Sequence, residues 1–170
     1  MVILETERLY LRRMTAADAE NAYLLNLDPD VIRYTGDGPF ESIAAAKIFL
    51  ENYDHYDKYD FGRWAVIRKS NHEFLGWCGL KYTPDLDEYD IGFRFFKKFW
   101  NQGFATEAAK ACIELGFQKY QFSAIVGRAQ KENKGSIRVL EKIGLTFLKN
   151  YELHGEAGVI YHIQLNSKNS

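Results

Sequence analysis

The chain has only three prolines, two cysteines and two methionines in 170 residues. No apolar run reaches the ~20 residues that a membrane-spanning helix requires, so no membrane partner is expected. Its first residues, Met1-Val-Ile-Leu-Glu-Thr-Glu7, lack the basic-then-apolar order of a secretory signal. Cys78 and Cys112 have neither metal-ligand spacing nor the makings of a disulfide framework. A reducing cytoplasm is therefore the expected setting, and no metal is expected. Neither charge is in surplus: 22 Lys and Arg stand against 23 Asp and Glu, for a formal net charge of −1. Gripping nucleic acid by its phosphates calls for a basic excess, so no nucleic-acid partner is expected.

What is present is ordinary globular material, with 46% hydrophobic and 26% charged residues. The length suits one domain, residues 1–170, with its own core. An aromatic share of 15% suits many half-buried strands.

Leu9, Leu11 and Arg13 alternate around Tyr10 and Arg12, which predicts a first strand. Thr15-Ala-Ala-Asp18 reads as a capping box that opens a helix to about Leu27, ended by Asp28-Pro29. Ser42 caps a second helix, in which Ile43, Ala46, Leu50 and Tyr53 recur at helical spacing. Arg63 to Arg68 and Phe74 to Tyr82 predict two strands joined by the turn Lys69-Ser-Asn-His-Glu73. In the next strand Tyr89, Ile91, Phe93 and Phe95 share one face, and Asp90, Gly92 and Arg94 the other.

A helix from Ala105 to about Lys119 follows, then a strand from Ala124 to Ala129. A further helix runs from Lys134 to Ile143, with Ile137, Leu140 and Ile143 inward, and Gly144 ends it in the left-handed conformation. Two strands close the chain, Thr146–Glu152 and Val159–Leu165, and the polar tail Asn166–Ser170 is expected to fray. No repeat or linker interrupts the order β-α-α-β-β-β-α-β-α-β-β. The expected fold is mixed α/β (α+β): a mostly antiparallel central sheet of about seven strands, flanked by about four helices.

The segment Trp100-Asn-Gln-Gly-Phe-Ala-Thr-Glu-Ala108 lies between a strand and a helix rich in small residues. Gly103 permits close backbone approach, and Ala105 keeps the first helical turn uncluttered. The amides of residues 102–106 would then face outward at the positive end of a helix, as a pyrophosphate site requires. The alternative is a tight turn that binds nothing.

A second segment, Asn133-Lys-Gly-Ser-Ile-Arg-Val-Leu-Glu-Lys-Ile-Gly-Leu145, completes a pattern. Together with Glu5-Thr-Glu-Arg-Leu-x-Leu-Arg12 and Leu75-Gly-Trp77, the two segments resemble the GNAT superfamily of N-acetyltransferases. Within it the pattern resembles the ribosomal-protein-alanine N-acetyltransferases (RimJ/RimL-like). The resemblance covers nearly the whole chain in order. It implies splayed fourth and fifth strands with acetyl-CoA between them. The pantetheine arm would lie along Phe93, Arg94 and Phe95, and the pyrophosphate on the amides of Gln102, Gly103, Phe104, Ala105 and Thr106. Asn133 would touch the pantetheine arm. The co-substrate would be an amine acceptor, a small molecule or a protein N-terminus.

Acetyl transfer needs a neutral amine, a held oxyanion and a proton for the departing thiolate. Asp90, on the polar strand face, is the candidate base, directly or through a water. Its alternative is a surface carboxylate or an ion-pair carboxylate, with Arg94 as a candidate partner. A backbone N–H near Phe93 would hold the oxyanion. Many superfamily members protonate the thiolate with a tyrosine, but that position here is Leu140. The subgroup offers Ser136 instead, one turn earlier on the same face. Asn133 and Ser136 also read as the cap and first turn of a helix. The missing tyrosine keeps open a second class, an acyl-CoA-binding sensor or scaffold of the same fold.

His55, His72, His154 and His162 have no nearby partner that suggests a triad or metal site, and read as structural. Glu107 reads as a first-turn residue favoured by the helix dipole, and Cys112 as core. Acidic residues gather at Asp54, Asp57 and Asp60, and at Asp85, Asp87, Glu88 and Asp90. They are either a rim attracting a cationic amine or a solvated surface. The apolar last strands could pair across a homodimer.

Overall fold

In the computed structural model, which describes residues 1–165, the chain opens with strands β1 (Val2–Glu5) and β2 (Leu9–Arg13). Helices α1 (Ala19–Leu27), α2 (Pro29–Ile32), α3 (Ile43–Glu51) and α4 (His55–Tyr59) follow. Next come strands β3 (Arg63–Arg68), β4 (Phe74–Thr83) and β5 (Glu88–Phe95), then helix α5 (Phe104–Gln118). Strand β6 (Ala124–Gln130), helix α6 (Lys134–Lys142) and the hairpin β7 (Thr146–Leu153) and β8 (Glu156–Gln164) complete it. The polar tail expected to fray lies outside the described residues.

Among the described residues one eight-stranded sheet runs β1-β2-β3-β4-β5-β6-β8-β7. Its neighbouring pairs are antiparallel, except β5 with β6, which run parallel. The mixed fold expected from the sequence is thus present, with one strand and two short helices added. Pro29 both ends α1 and starts α2: it cannot continue a helix, but it suits a first turn, and Asp28 caps that turn by accepting the Asp30 N–H at 2.9 Å.

Local signals elsewhere act as anticipated. Asp18 accepts the Thr15 N–H at 2.9 Å and takes both ends of the Arg12 guanidinium at 2.8 and 2.9 Å, which is how a carboxylate 3% exposed is satisfied. Ser42 Oγ accepts the Ala45 N–H at 3.0 Å and caps α3. On α3, Ala46 and Leu50 turn inward, whereas Ile43 is exposed. Gly144 ends α6 at φ 103°, as expected of a left-handed position.

The main core lies between the sheet and α5. Trp64, Leu75, Cys78, Leu80, Ile91 and Phe95 meet Ala108, Cys112 and Ile113 there. Burying each large side chain contributes roughly 1.5–3 kcal/mol. Cys112 is inaccessible, its Sγ 3.8 Å from Cys78 Sγ, and burial pushes its thiol well above the ordinary range. It is a core residue.

The expected splay falls between β5 and β6. The two strands pair at a single position, Asp90 with Val126. Beyond it they diverge, and the N-terminus of α5 stands at the end of the gap.

Candidate active site

The inner edge of β5 is built by simple alternation. The Phe96 N–H donates to Leu75 O at 3.0 Å, across to β4. Successive strand amides point to opposite sides, so the backbone groups of Phe93 and Phe95 face the gap and those of Arg94 face β4. The Phe95 carbonyl is already taken by the Trp100 indole N–H at 2.9 Å, a bond that ties the following loop to the strand.

That loop ends in Gly103 at φ 81°, a left-handed conformation suited to glycine. Gly103 is the N-cap of α5, so the amides of Phe104, Ala105 and Thr106 have no partner within the helix. Gly103 to Thr106 line a cleft of about 1100 Å³ that also takes in Phe93, Arg94 and Phe95. Gln102 does not line it. Its side chain donates to Lys98 O at 2.9 Å and faces a shallower groove with Arg8 and Arg68.

Across the gap, Asn133 caps α6. Its Oδ1 accepts the Ser136 N–H at 3.2 Å, which fixes the amide orientation, and its Nδ2 then donates to Ser136 Oγ at 3.0 Å. The serine oxygen accepts one bond, so the hydroxyl proton is free to donate into the cleft that both residues line. Leu140 is 2% exposed and packs where a Cβ on Gly127 would stand, so it is a core residue. Lys134, Arg138 and Lys142, four residues apart along α6, bring cations to the same cleft.

The polar face of the sheet is organised by an arginine crossing two glycines. Arg63, Gly79 and Gly92 are aligned in register on β3, β4 and β5. The Arg63 side chain runs across them, donating to Gly79 O at 2.8 Å and to Asp90 Oδ1 at 2.5 Å. The partner of Asp90 is therefore Arg63 and not Arg94. Arg94 donates instead to Asn26 Oδ1 and to Asp37 Oδ2, each at 2.8 Å, while its Nε is buried without a partner. Both guanidiniums lie near the Trp77 ring, at 5.6 and 5.2 Å from its centroid.

The two lips of this end of the cleft touch. The imidazole of His154, in the β7–β8 turn, sits where a side chain on Gly36 would begin, 2.5 Å from its Cβ position. His154 is thus a lining residue, which its sequence context concealed. His55 is structural: its Nε2 accepts the Tyr82 N–H at 3.0 Å, so Nδ1 carries the hydrogen donated to Phe61 O at 2.7 Å. Of the acidic residues gathered in the sequence, only Asp90 lines the cleft. Asp54 pairs with Lys58 and Asp60 with Arg13, Glu88 pairs with Arg128, and Asp87 accepts the Tyr82 hydroxyl. They do not form an anionic mouth. Asp30 and Asp37 do line the cleft, bonded to Lys97 and Arg94.

Among the described residues no group of His, Cys, Asp and Glu could hold a metal ion, and no helix is long and apolar enough to cross a membrane.

Comparison with known proteins gives these features a context. The family model described as acetyltransferase (GNAT) domain matches residues 8–146. An N-acetyltransferase of Bacillus licheniformis known as p20, itself uncharacterised, is 29% identical over 157 residues, covering 89% of this chain and 88% of that one. The crystal structure of a GNAT-family acetyltransferase from Bacillus anthracis superposes with a TM-score of 0.83 at 27% identity, over 96% of this chain and 98% of that one. RimL, a ribosomal L7/L12 α-N-protein acetyltransferase solved in complex with coenzyme A, shares the fold at 15% identity, with a TM-score of 0.78 over 96% of this chain and 98% of its own.

Proposed function

This chain belongs to the GNAT acetyltransferase family and is an acyltransferase; we propose that it transfers an acetyl group from acetyl-CoA to a primary amine by direct attack in a ternary complex. The amine belongs to a small molecule or to a protein N-terminus. One observation carries the reading. β5 and β6 run parallel but pair only at Asp90 and Val126, which leaves the Phe93 and Phe95 amides facing a gap that ends on the free amides of α5. An extended amide-bearing chain with a diphosphate at one end suits such a gap. Acetyl-CoA is such a molecule.

In this arrangement the diphosphate lies on the amides of Gly103 to Thr106, where the helix dipole adds roughly 0.3–1 kcal/mol per contact. Lys134, Arg138 and Lys142 supply further positive charge. The pantetheine arm bonds to β5 at Phe93, with Asn133 opposite. The amine nitrogen attacks the thioester carbonyl, whose oxygen takes up charge beside the Phe93 N–H. As the carbon–sulfur bond breaks, the Ser136 hydroxyl gives its proton to the thiolate and recovers one from water. The proton lost by the amine passes through a water to Asp90, whose Oδ2 is not used by Arg63. The free hydroxyl proton of Ser136 favours turnover over a sensor or scaffold role.

Calorimetric titration with acetyl-CoA and free CoA tests the reading. Micromolar binding, followed by release of CoA thiol in the presence of amines or N-terminal peptides, is the expected result. Absence of binding by folded protein overturns it.

A further inference from the structure

The Glu5-Thr-Glu-Arg-Leu9 motif has no part in the chemistry above, yet its side chains reach about a hundred residues along the chain to the back of the phosphate loop. Thr6 Oγ1 donates to Glu107 Oε2 at 2.5 Å, and the Arg8 backbone N–H donates to the same oxygen at 3.0 Å. Arg8 Nε donates to Oε1 at 2.8 Å, so both carboxylate oxygens are engaged. The other arm of the guanidinium donates to Gln102 O at 3.0 Å, and its carbon stands 4.2 Å from the centre of the Phe104 ring.

The last of these hydrogen bonds has a directional effect. A trans peptide is planar, so the Gln102 carbonyl and the Gly103 N–H point in opposite directions. A carbonyl held on Arg8 turns the Gly103 N–H away from Arg8, toward the cleft that Gly103 lines. Gly103 has the conformational freedom that allows the preceding peptide to flip. The flipped peptide would offer a diphosphate an oxygen in place of a donor.

We infer that Arg8, oriented by Glu107 and Thr6, is a positioning residue that holds the Gln102–Gly103 peptide with its N–H toward the cleft, and so sets the affinity for the diphosphate of the acyl donor. The inference rests on the placement of acetyl-CoA proposed above.

The test titrates wild type, Arg8→Ala, Arg8→Lys and Glu107→Gln with two ligands, acetyl-CoA and S-acetyl-pantetheine, which keeps the thioester arm but has no diphosphate. Circular dichroism confirms that each variant is folded. Arg8→Ala is expected to weaken acetyl-CoA binding about tenfold, the loss of one charge-assisted hydrogen bond, and to leave S-acetyl-pantetheine unchanged. Arg8→Lys, lacking a forked donor, recovers only part of the affinity. Glu107→Gln gives a loss of the same selective kind. Equal losses for both ligands, or undiminished acetyl-CoA affinity in folded Arg8→Ala, overturn the positioning role. A wild-type protein that binds S-acetyl-pantetheine as well as it binds acetyl-CoA overturns the placement of the diphosphate itself.

Discussion

The guanidinium of Arg63 occupies the space where a side chain on Gly92 would begin: a Cβ there would lie 2.7 Å from the guanidinium carbon. A glycine on β5 and an arginine two strands away thus define one another. Gly92→Ala should push Arg63 off Asp90 and destabilise the fold by about 1–3 kcal/mol, through overpacking and a half-buried ion pair left apart. Urea denaturation monitored by tryptophan fluorescence would show the shift.

Asp90→Asn separates the two roles of that carboxylate. If Asp90 receives the amine proton through a water, Asp90→Asn lowers kcat by about a hundredfold, within the range general base catalysis contributes. A folded variant with undiminished kcat leaves Asp90 as no more than the partner of Arg63.

Ser136→Ala should lower kcat by about a hundredfold, within the range general acid catalysis contributes, while acetyl-CoA affinity stays within about twofold. Steady-state kinetics paired with calorimetry makes the distinction. Leu140→Ala, by contrast, should cost roughly 2–5 kcal/mol of stability, as expected of a core leucine.

Gly103→Ala tests the loop. At φ 81° a non-glycine residue is strained by roughly 1–2 kcal/mol. The added Cβ would stand 3.3 Å from an Arg8 nitrogen. The substitution therefore brings backbone strain and pressure on Arg8. Reduced acetyl-CoA affinity, with global stability lowered by about that same 1–2 kcal/mol, is the expected result, read by calorimetric titration and by denaturation.

Glu107 should make the loop acid-sensitive. Burial pushes its carboxyl up, but hydrogen bonds from Thr6 and Arg8 outweigh this and hold it below the ordinary range. A depressed folded value means that its stabilising contribution is complete above the unfolded carboxyl value of about 4.3, and is lost as pH falls through the folded value. Glu107→Gln should flatten this part of the stability curve, measured by denaturation between neutral and acidic pH.

Much of this architecture could be read in advance because its causes are local. The alternation over Glu88–Phe95, the caps at Thr15, Ser42 and Asn133, and the left-handed Gly144 each depend on a few neighbouring residues. The Asp90 partner did not follow, because Arg94 is four residues further along the same strand and roughly 13 Å distant at the rise of a strand. Arg63, remote in sequence, comes within reach across two glycines whose register only folding reveals. For the same reason the cations that meet Asp60 and Glu88, Arg13 and Arg128, could not be read from the sequence, because both are remote along the chain. The clamp behind Gly103 was present as a motif but silent about its target. β1 escaped notice because four largely apolar residues with no alternation give no period to read.

The single rung joining β5 to β6 has a consequence for the protein as a material object. To one side of it are five strands, to the other three, and at the seam the sheet relies on side chains and α5 for its continuity. A co-substrate bonded to Phe93, as proposed above, would add rungs to that seam and act as a removable strand. At a hundred times its dissociation constant, such a ligand stabilises the fold by about 2.7 kcal/mol. The amides of Phe93 and Phe95 should then exchange with deuterium slowly when the seam is filled and quickly when it is open. On that placement, the working lifetime of the enzyme would be coupled to the supply of acyl donor around it.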